Sequence, residues 1–233
     1  MKYRCEASSV EGVVQLIAAS YLRHGYYWYV TGRIPRGKDP TAIDRKLINK
    51  YSLDISDWER SQRKKRGIAN AHYLRFRDWF ILLVTEGHHK LKQPATQGGE
   101  AESLNDCRRV PIKFEGYSIS YRRSGVAAEV GASVKWHAHV RIDARIYASL
   151  KAHFEAIAVH RTAEHLAQEF AAIPYARYAP VRRQLLNLLR LVNDRRKQQG
   201  YELLPYAALK LRRTPVKVYV NSTPSDLTTT EVA

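Results

Sequence analysis

The sequence predicts an α+β protein: an antiparallel or mixed sheet with one open basic face and helices on the other, followed by a helical C-terminal half. Three observations carry this. Residues 110–143 alternate bulky and polar side chains with period two, the pattern of half-buried antiparallel strands. Trp79 to Val84 (WFILLV) is a continuous apolar run suited to a central strand covered on both faces. Beyond Asp143 the apolar residues recur at helical spacing instead.

Taken in order, residues 1–6 form a short strand. Ser8 and Glu11 are spaced as a capping box, and Val10, Val13, Val14, Ile17, Ala18 and Tyr21 make one helical stripe that Gly25 stops. Residues 26–31 (YYWYVT) are aromatic and β-branched, a strand. The following GRIPRGKD contains the G-x-x-x-x-G-K core of a phosphate loop but lacks the Ser or Thr that holds magnesium. Asp39 there reads better as an N-cap, with Pro40 opening a helix that ends at Tyr51. Ser56 and Glu59 form a second capping box, whose helix stops at Gly67. Residues 93–106 are polar, with Pro94 and Gly98-Gly99, and predict a long loop.

Within 110–143 the first strand carries Phe114, Tyr117, Ile119 and Tyr121. Ser124-Gly125 makes the turn, and residues 126–133 are loop or bulge. In the second strand Val134, Trp136, Ala138, Val140 and Ile142 share one face, and Lys135, His137, His139, Arg141 and Asp143 share the other. Then Ile146, Leu150, Phe154 and Ile157 mark a helix, Thr162 caps a second that Ile173-Pro174 ends, and Pro180 starts the longest. Its buried stripe is Val181, Leu185, Leu188, Leu189 and Val192, and Arg195, Arg196 and Lys197 suit its negative dipole end. Residues 215–220 are a last short strand, placed at a sheet edge. The organisation is a sheet-containing region over 1–143, a helical region packed on it over 144–220 as part of one domain, and a disordered tail over 221–233.

The charge balance narrows the partners. Lys plus Arg is 39 against 22 Asp plus Glu, a formal net charge of +17. The final 13 residues hold Asp226 and Glu231 and no base, so the body ahead of them is more basic still. Such an excess implies a polyanion, because neutralised phosphates release counterions and drive association. Interleaved aromatics (15 Tyr, 4 Trp, 5 Phe) favour nucleic acid, DNA or RNA, with unpaired bases that stack. A membrane surface competes as polyanion, yet no apolar run nears the roughly 20 residues of a spanning helix. Cys5 and Cys107 form no metal-type pair, and so few cysteines fit a reducing cytoplasm. Arg60, Arg63, Lys64, Lys65 and Arg66 lie within seven residues and repel one another unless an anion binds them. With Arg122, Arg123, Lys135, Arg141, Arg182 and Arg183 they are the expected phosphate contacts. Stacking or edge contacts fall to His137, His139, Tyr117 and Tyr121.

His137-Ala138-His139 resembles the His-hydrophobe-His motif of HUH endonucleases, the single-strand nickases of rolling-circle replication, conjugation and transposition. Residues two apart on a strand project from one face, so both imidazoles can reach one divalent ion. The resemblance implies a magnesium or manganese ion at His137 and His139, and a tyrosine that attacks the phosphodiester. Tyr175 and Tyr178, flanked by Arg177, Arg182 and Arg183, are the candidate nucleophiles. Tyr147 beside Lys151 is the runner-up, and Gln184 or His153 would be a third ligand. Against a metal, Lys135 and Arg141 share the same face and repel a cation. The alternative is that both histidines simply stack on bases or bond phosphates. Two expectations therefore stand: a nucleic-acid-binding module without a cofactor, or a metal-dependent nickase, either one within a mobile-element, replication or larger nucleoprotein system that supplies further protein subunits.

Overall fold

The computed structural model describes residues 3–92, 104–123, 135–212, 214 and 216–220. It contains two antiparallel sheets, where the alternation alone had pointed to one. Six helices accompany them: α1 (Val10–Gln15), α2 (Pro40–Tyr51), α3 (Asp57–Lys65), α4 (Ala144–Ile157), α5 (Ala163–Ala172) and α6 (Ala179–Gln198). The chain between α1 and the first strand stays helical, as a π-helical stretch Leu16–Tyr21 and a 3-10 turn Leu22–His24 closed by left-handed Gly25.

The first sheet runs in the order β2 (Ala71–Phe76), β3 (Trp79–Val84), β1 (Trp28–Arg33), β4 (Asn105–Asp106). Its central strand β3 is buried along its length apart from Phe80, as an apolar run covered on both faces should be. One face packs Leu74, Ile81 and Leu83 against Val13, Val14 and Ile17 of the first helix. The other packs Tyr73, Leu82 and Val84 against Tyr51 and Leu47 of α2. The second sheet, β5 (Ile112–Phe114), β6 (Tyr117–Arg123), β7 (Trp136–Ile142), lays Ile112, Ile119 and Val140 on the far side of that first helix. The first helix is thus sandwiched between two sheets, and its stripe is buried because both neighbours are apolar there.

Local signals placed most helices. Asp39 accepts from the Thr41 and Ala42 amides at 3.0 Å, with Pro40 at the first helical position. Ser56 accepts from Glu59 N at 3.2 Å, while the Glu59 side chain turns to Arg63 instead of closing the box. Every residue of the predicted α6 stripe is buried. Thr162 caps α5 through the His165 amide.

Several expectations are corrected. The first helix is capped by Ser9, which accepts from Gly12 N at 3.0 Å, and not by Ser8. The Ser8 hydroxyl and amide instead bind Lys217 O and Val218 O of the C-terminal segment, which makes a bridge at Ala7 and Tyr219. The first strand begins at Trp28, two residues later than expected, because Tyr26 N and Tyr27 N still bond back to Tyr21 O and Gly25 O at the end of the helix. Gly32 and Arg33 therefore belong to β1, with Gly32 opposite Phe80. A Cβ at Gly32 would lie 2.4 Å from the Phe80 ring, so this glycine makes room for an aromatic and does not open a phosphate loop. Residues 105 and 106, assigned to a loop, pair with Tyr29 and Trp28. Ile146 is 40% exposed and leaves the α4 stripe to Phe154. Asp143 leaves the strand face to cap α4 through Arg145 N, and it also pairs with Lys113. Arg196 is buried, donating to Ala158 O and Arg161 O at 2.8 Å, so it ties α6 to the α4–α5 connection. The expected turn at Ser124-Gly125, the loop 126–133, residue Val134 and the tail 221–233 lie outside the described residues, as does most of the loop 93–106.

α4, α5 and α6 build a separate cluster around Phe154, Phe170, Leu185 and Leu188, and Ile142 of β7 reaches into it. Tyr175 and Tyr178 touch both this cluster and the one around the first helix.

Candidate nucleic-acid interface

The register of the second sheet decides what shares its outer face. Ser118 stands opposite Arg141, Ser120 opposite His139, Arg122 opposite His137, and Lys113 of β5 opposite Ser118. The two serines are buried although they point away from the core, because longer neighbours close over them. Arg122 Nε donates to Ser120 Oγ at 3.0 Å, which lays its guanidinium along the face. His137, Arg122, Arg123 and Lys135 are exposed; His139 and Arg141 are half-buried. Arg182 and Arg183 are exposed on the first turns of α6.

Gln184 fixes that helix to the sheet. Its Oε1 accepts from Ile142 N at 2.8 Å and its Nε2 donates to Ile142 O at 3.1 Å. The side-chain amide thereby imitates a neighbouring strand at the β7 edge. Tyr147 Oη donates to the Gln184 carbonyl at 3.2 Å and braces the same point from α4. Replacing Gln184 with Ala leaves a backbone donor and acceptor unmet at a half-buried edge, and we expect a loss of about 2 kcal/mol in urea unfolding.

The electrostatics of the face are one-sided. Among the described residues no carboxylate forms an ion pair with Arg122, Arg123, Lys135, Arg141, Arg182 or Arg183. Acids elsewhere are spent: Glu86 and Asp106 on Arg108, Asp44 and Glu6 on Arg75. His139 feels the excess directly. Burial, then Arg122, Arg141, His137 and Arg183, push its pKa below the usual imidazole value, so the ring is neutral at physiological pH. Its Nδ1 is buried without a hydrogen-bond partner.

The His137 and His139 rings lie 6.3 Å apart, side by side on one face. Among the described residues they do not make a divalent-cation site. Among the described residues no group of three His, Cys, Asp or Glu side chains converges, and guanidinium groups stand where carboxylates would be needed. Gln184 is committed to Ile142, and His153 Nε2 is bonded to Glu169 at 2.7 Å, so neither is a third ligand. Tyr175 packs edge-on against Tyr117 at 5.0 Å, and its hydroxyl fills the space over Gly116, where a Cβ would sit only 2.2 Å away. That is the core face of the sheet, opposite to the imidazoles, and five residues along β6 from Arg122, roughly 17 Å. Tyr178 is likewise half-buried between the two clusters. Arg177 is buried and donates to the carbonyls of Ile173 and Tyr175. The structure thus brings the imidazoles together with Arg122, Arg141 and Arg183, and does not bring Tyr175 to them.

The run on α3 divides. Arg60 turns inward to Leu53 O and Ala71 O, and Arg63 pairs with Glu59. Lys64, Lys65 and Arg66 remain exposed. Of the expected stacking residues, Tyr117 is 1% exposed and is corrected to a core residue. Tyr121 instead forms the middle of a ring ladder, with Tyr27 at 4.9 Å on one side and Trp136 at 5.8 Å on the other. Trp136 is 43% exposed, with the Arg123 guanidinium over its ring. Sequence pattern counted Trp136 among core residues. It stands at the first position of β7, opposite Arg123 at the last of β6.

The chain matches no protein-family model, and neither the curated proteins nor the solved structures contain a significant match to it.

Proposed function

We propose that this protein binds nucleic acid with unpaired bases, along the outer face of the second sheet. The observation that carries the reading is the set of arginines there (Arg122, Arg141, Arg182, Arg183) with no carboxylate partner among the described residues. Unpaired cations on one surface cost self-repulsion unless a polyanion relieves it. The imidazole pair adds rings that stack on bases, and at the strand end exposed Trp136, with Arg123 over it, offers a further ring from the opposite face. Lys64, Lys65 and Arg66 extend the phosphate contacts to α3. A duplex offers phosphates but hides its base faces, so the aromatic component favours single strands.

No helix among the described residues is long and apolar enough to cross a membrane. Cys5 and Cys107 are free thiols whose pKa values burial pushes up to about 12, inert groups that suit the cytoplasm. In this reading the protein is a strand-holding component of a replication, mobile-element or other nucleoprotein system.

Fluorescence anisotropy with a labelled single strand tests the reading. We expect affinity to fall steeply with salt, single strand to be preferred over duplex at equal length, and EDTA to change neither, since recognition needs no metal. Salt-independent or absent binding to both DNA and RNA would refute it. Metal-dependent strand cleavage would restore the nickase alternative.

A further inference from the structure

A second candidate site lies along the start of α6, beside the segment at Leu211 and Arg212. Two open cavities of about 490 and 470 Å³ adjoin there and share Ala179, Arg182 and Leu211 in their walls. Each has the size of a small-ligand site. The first also takes in Arg183 and Arg190, and the second Arg177 and Arg212. Five guanidinium groups therefore line one cleft, and no Asp or Glu is among the described residues of its walls. None of the five forms an ion pair among the described residues. Asp194 is spaced along α6 to meet Arg190, yet the two do not pair.

Arg177 sets the chemistry of the cleft. It is 8% exposed, and its Nη1 donates to Ile173 O at 3.2 Å and to Tyr175 O at 2.6 Å. Those bonds hold the side chain in place and leave Nε and Nη2 without an acceptor among the described residues. The described side-chain atoms that are both sealed from solvent and unbonded are Trp28 Nε1, Asn70 Oδ1 and His139 Nδ1. The free nitrogens of Arg177 are therefore not shut in the core, and they open on the cleft that this residue lines. A guanidinium this deeply buried ordinarily has a carboxylate beside it. Here burial pushes the pKa below the usual arginine value, as expected of a charge left uncompensated. A bound anion supplies the missing counter-charge. α6 adds to the attraction: its first turn has no side-chain cap, and Ala179 places the positive end of its dipole at the same cleft. A phosphate monoester carries close to two charges and three terminal oxygens, enough for several guanidinium forks at once. A phosphodiester in mid-strand offers two oxygens and one charge.

We propose that this cleft binds a phosphate monoester, met by Arg177 from within and by Arg182, Arg190 and Arg212 at the rim. The group is either the terminal phosphate of a bound strand or that of a free small phosphate; the first source rests on the function proposed above. Arg183 joins the two sites, since it lines the cleft and its charge also reaches His139 on the outer face of the second sheet. A strand crossing that face is thus led toward the cleft.

The test titrates the full chain with one short single strand in three forms: 5′-phosphorylated, 3′-phosphorylated, and with hydroxyls at both ends. Calorimetry with inorganic phosphate and with AMP covers the free source. Wild type is compared with Arg190→Gln/Arg212→Gln, two exposed positions outside the basic face. Asn187→Asp, which sets a carboxylate at the cleft from an exposed position, stands in should that variant fail to fold. About tenfold tighter binding of the strand phosphorylated at one particular end, lost in the variant, identifies a strand-end site. Saturable binding of inorganic phosphate or AMP, lost in the variant and without an end preference, identifies a free-phosphate site. Absence of both, or their persistence in the folded variant, overturns the proposal. Equal gains from a 5′ and a 3′ phosphate that survive in the variant report only added charge, and overturn it too. Arg122→Gln/Arg141→Gln leaves the cleft untouched and should weaken all three strands alike while keeping their ratio. If no strand binds at all, the function proposed above fails and the phosphate and AMP titrations alone decide the cleft.

Discussion

Neutralising Arg122, Arg141 and Arg183 together, as Arg122→Gln/Arg141→Gln/Arg183→Gln, should weaken single-strand binding by on the order of 100-fold near 0.1 M salt and flatten the salt slope by about two units, on the basis of about 0.7 per phosphate contact on a single strand. These three surround His139, and their combined field is part of what lowers its pKa. The same variant should therefore let that pKa rise toward the ordinary imidazole value, which histidine NMR can follow. None of the three has an ion-pair partner among the described residues, so thermal stability should hold or improve as repulsion is relieved. Affinity and stability moving in opposite directions distinguishes a binding surface from a structural one.

The largest stability effect is expected far from that surface. Asp44 of α2 is buried and accepts from Tyr73 Oη at 2.6 Å and from Arg75 Nε at 2.9 Å. Cys5 Sγ lies against the same carboxylate at 3.5 Å, and Arg75 reaches Glu6 at 3.1 Å. One carboxylate thus ties α2 and the N-terminal segment to β2. Asp44→Ala removes the main counter-charge of a buried guanidinium and the acceptor of a buried phenol. The expected loss is about 3–5 kcal/mol, measured by chemical unfolding. Replacing Asp44 and Arg75 together, as Asp44→Leu/Arg75→Met, should recover part of it, since the charge left behind dominates the cost. A double variant worse than Asp44→Ala would show that the ion pair is itself stabilising.

What the sequence made legible was local. Asp39-Pro40, Ser56, Thr162 and the α6 stripe act within one or two turns, where capping and 3.6-residue periodicity outweigh distant contacts. The β7 alternation placed His137, His139 and Arg141 on one face for the same reason. Failures came where distant chain intervened. Ser8 lost its cap to Ser9 because residues 217 and 218 claimed it. Tyr117 and Tyr175 read as exposed aromatics near arginines, but they interlock across 58 residues over Gly116, whose positive φ and missing side chain leave room for a phenol. The Asp44 network has no spacing pattern, being a set of side chains that meet only once the first sheet is covered.

The central claim is that a nucleic-acid strand lies on the outer face of the second sheet. Photo-crosslinking a strand carrying a photoreactive base, followed by peptide mapping, tests it most directly. The account predicts crosslinks in the peptides spanning Tyr117–Arg123 and Trp136–Ile142, with His137 and His139 as the modified residues. Crosslinks confined to other peptides, with these two strands unmodified under saturating binding, would contradict it.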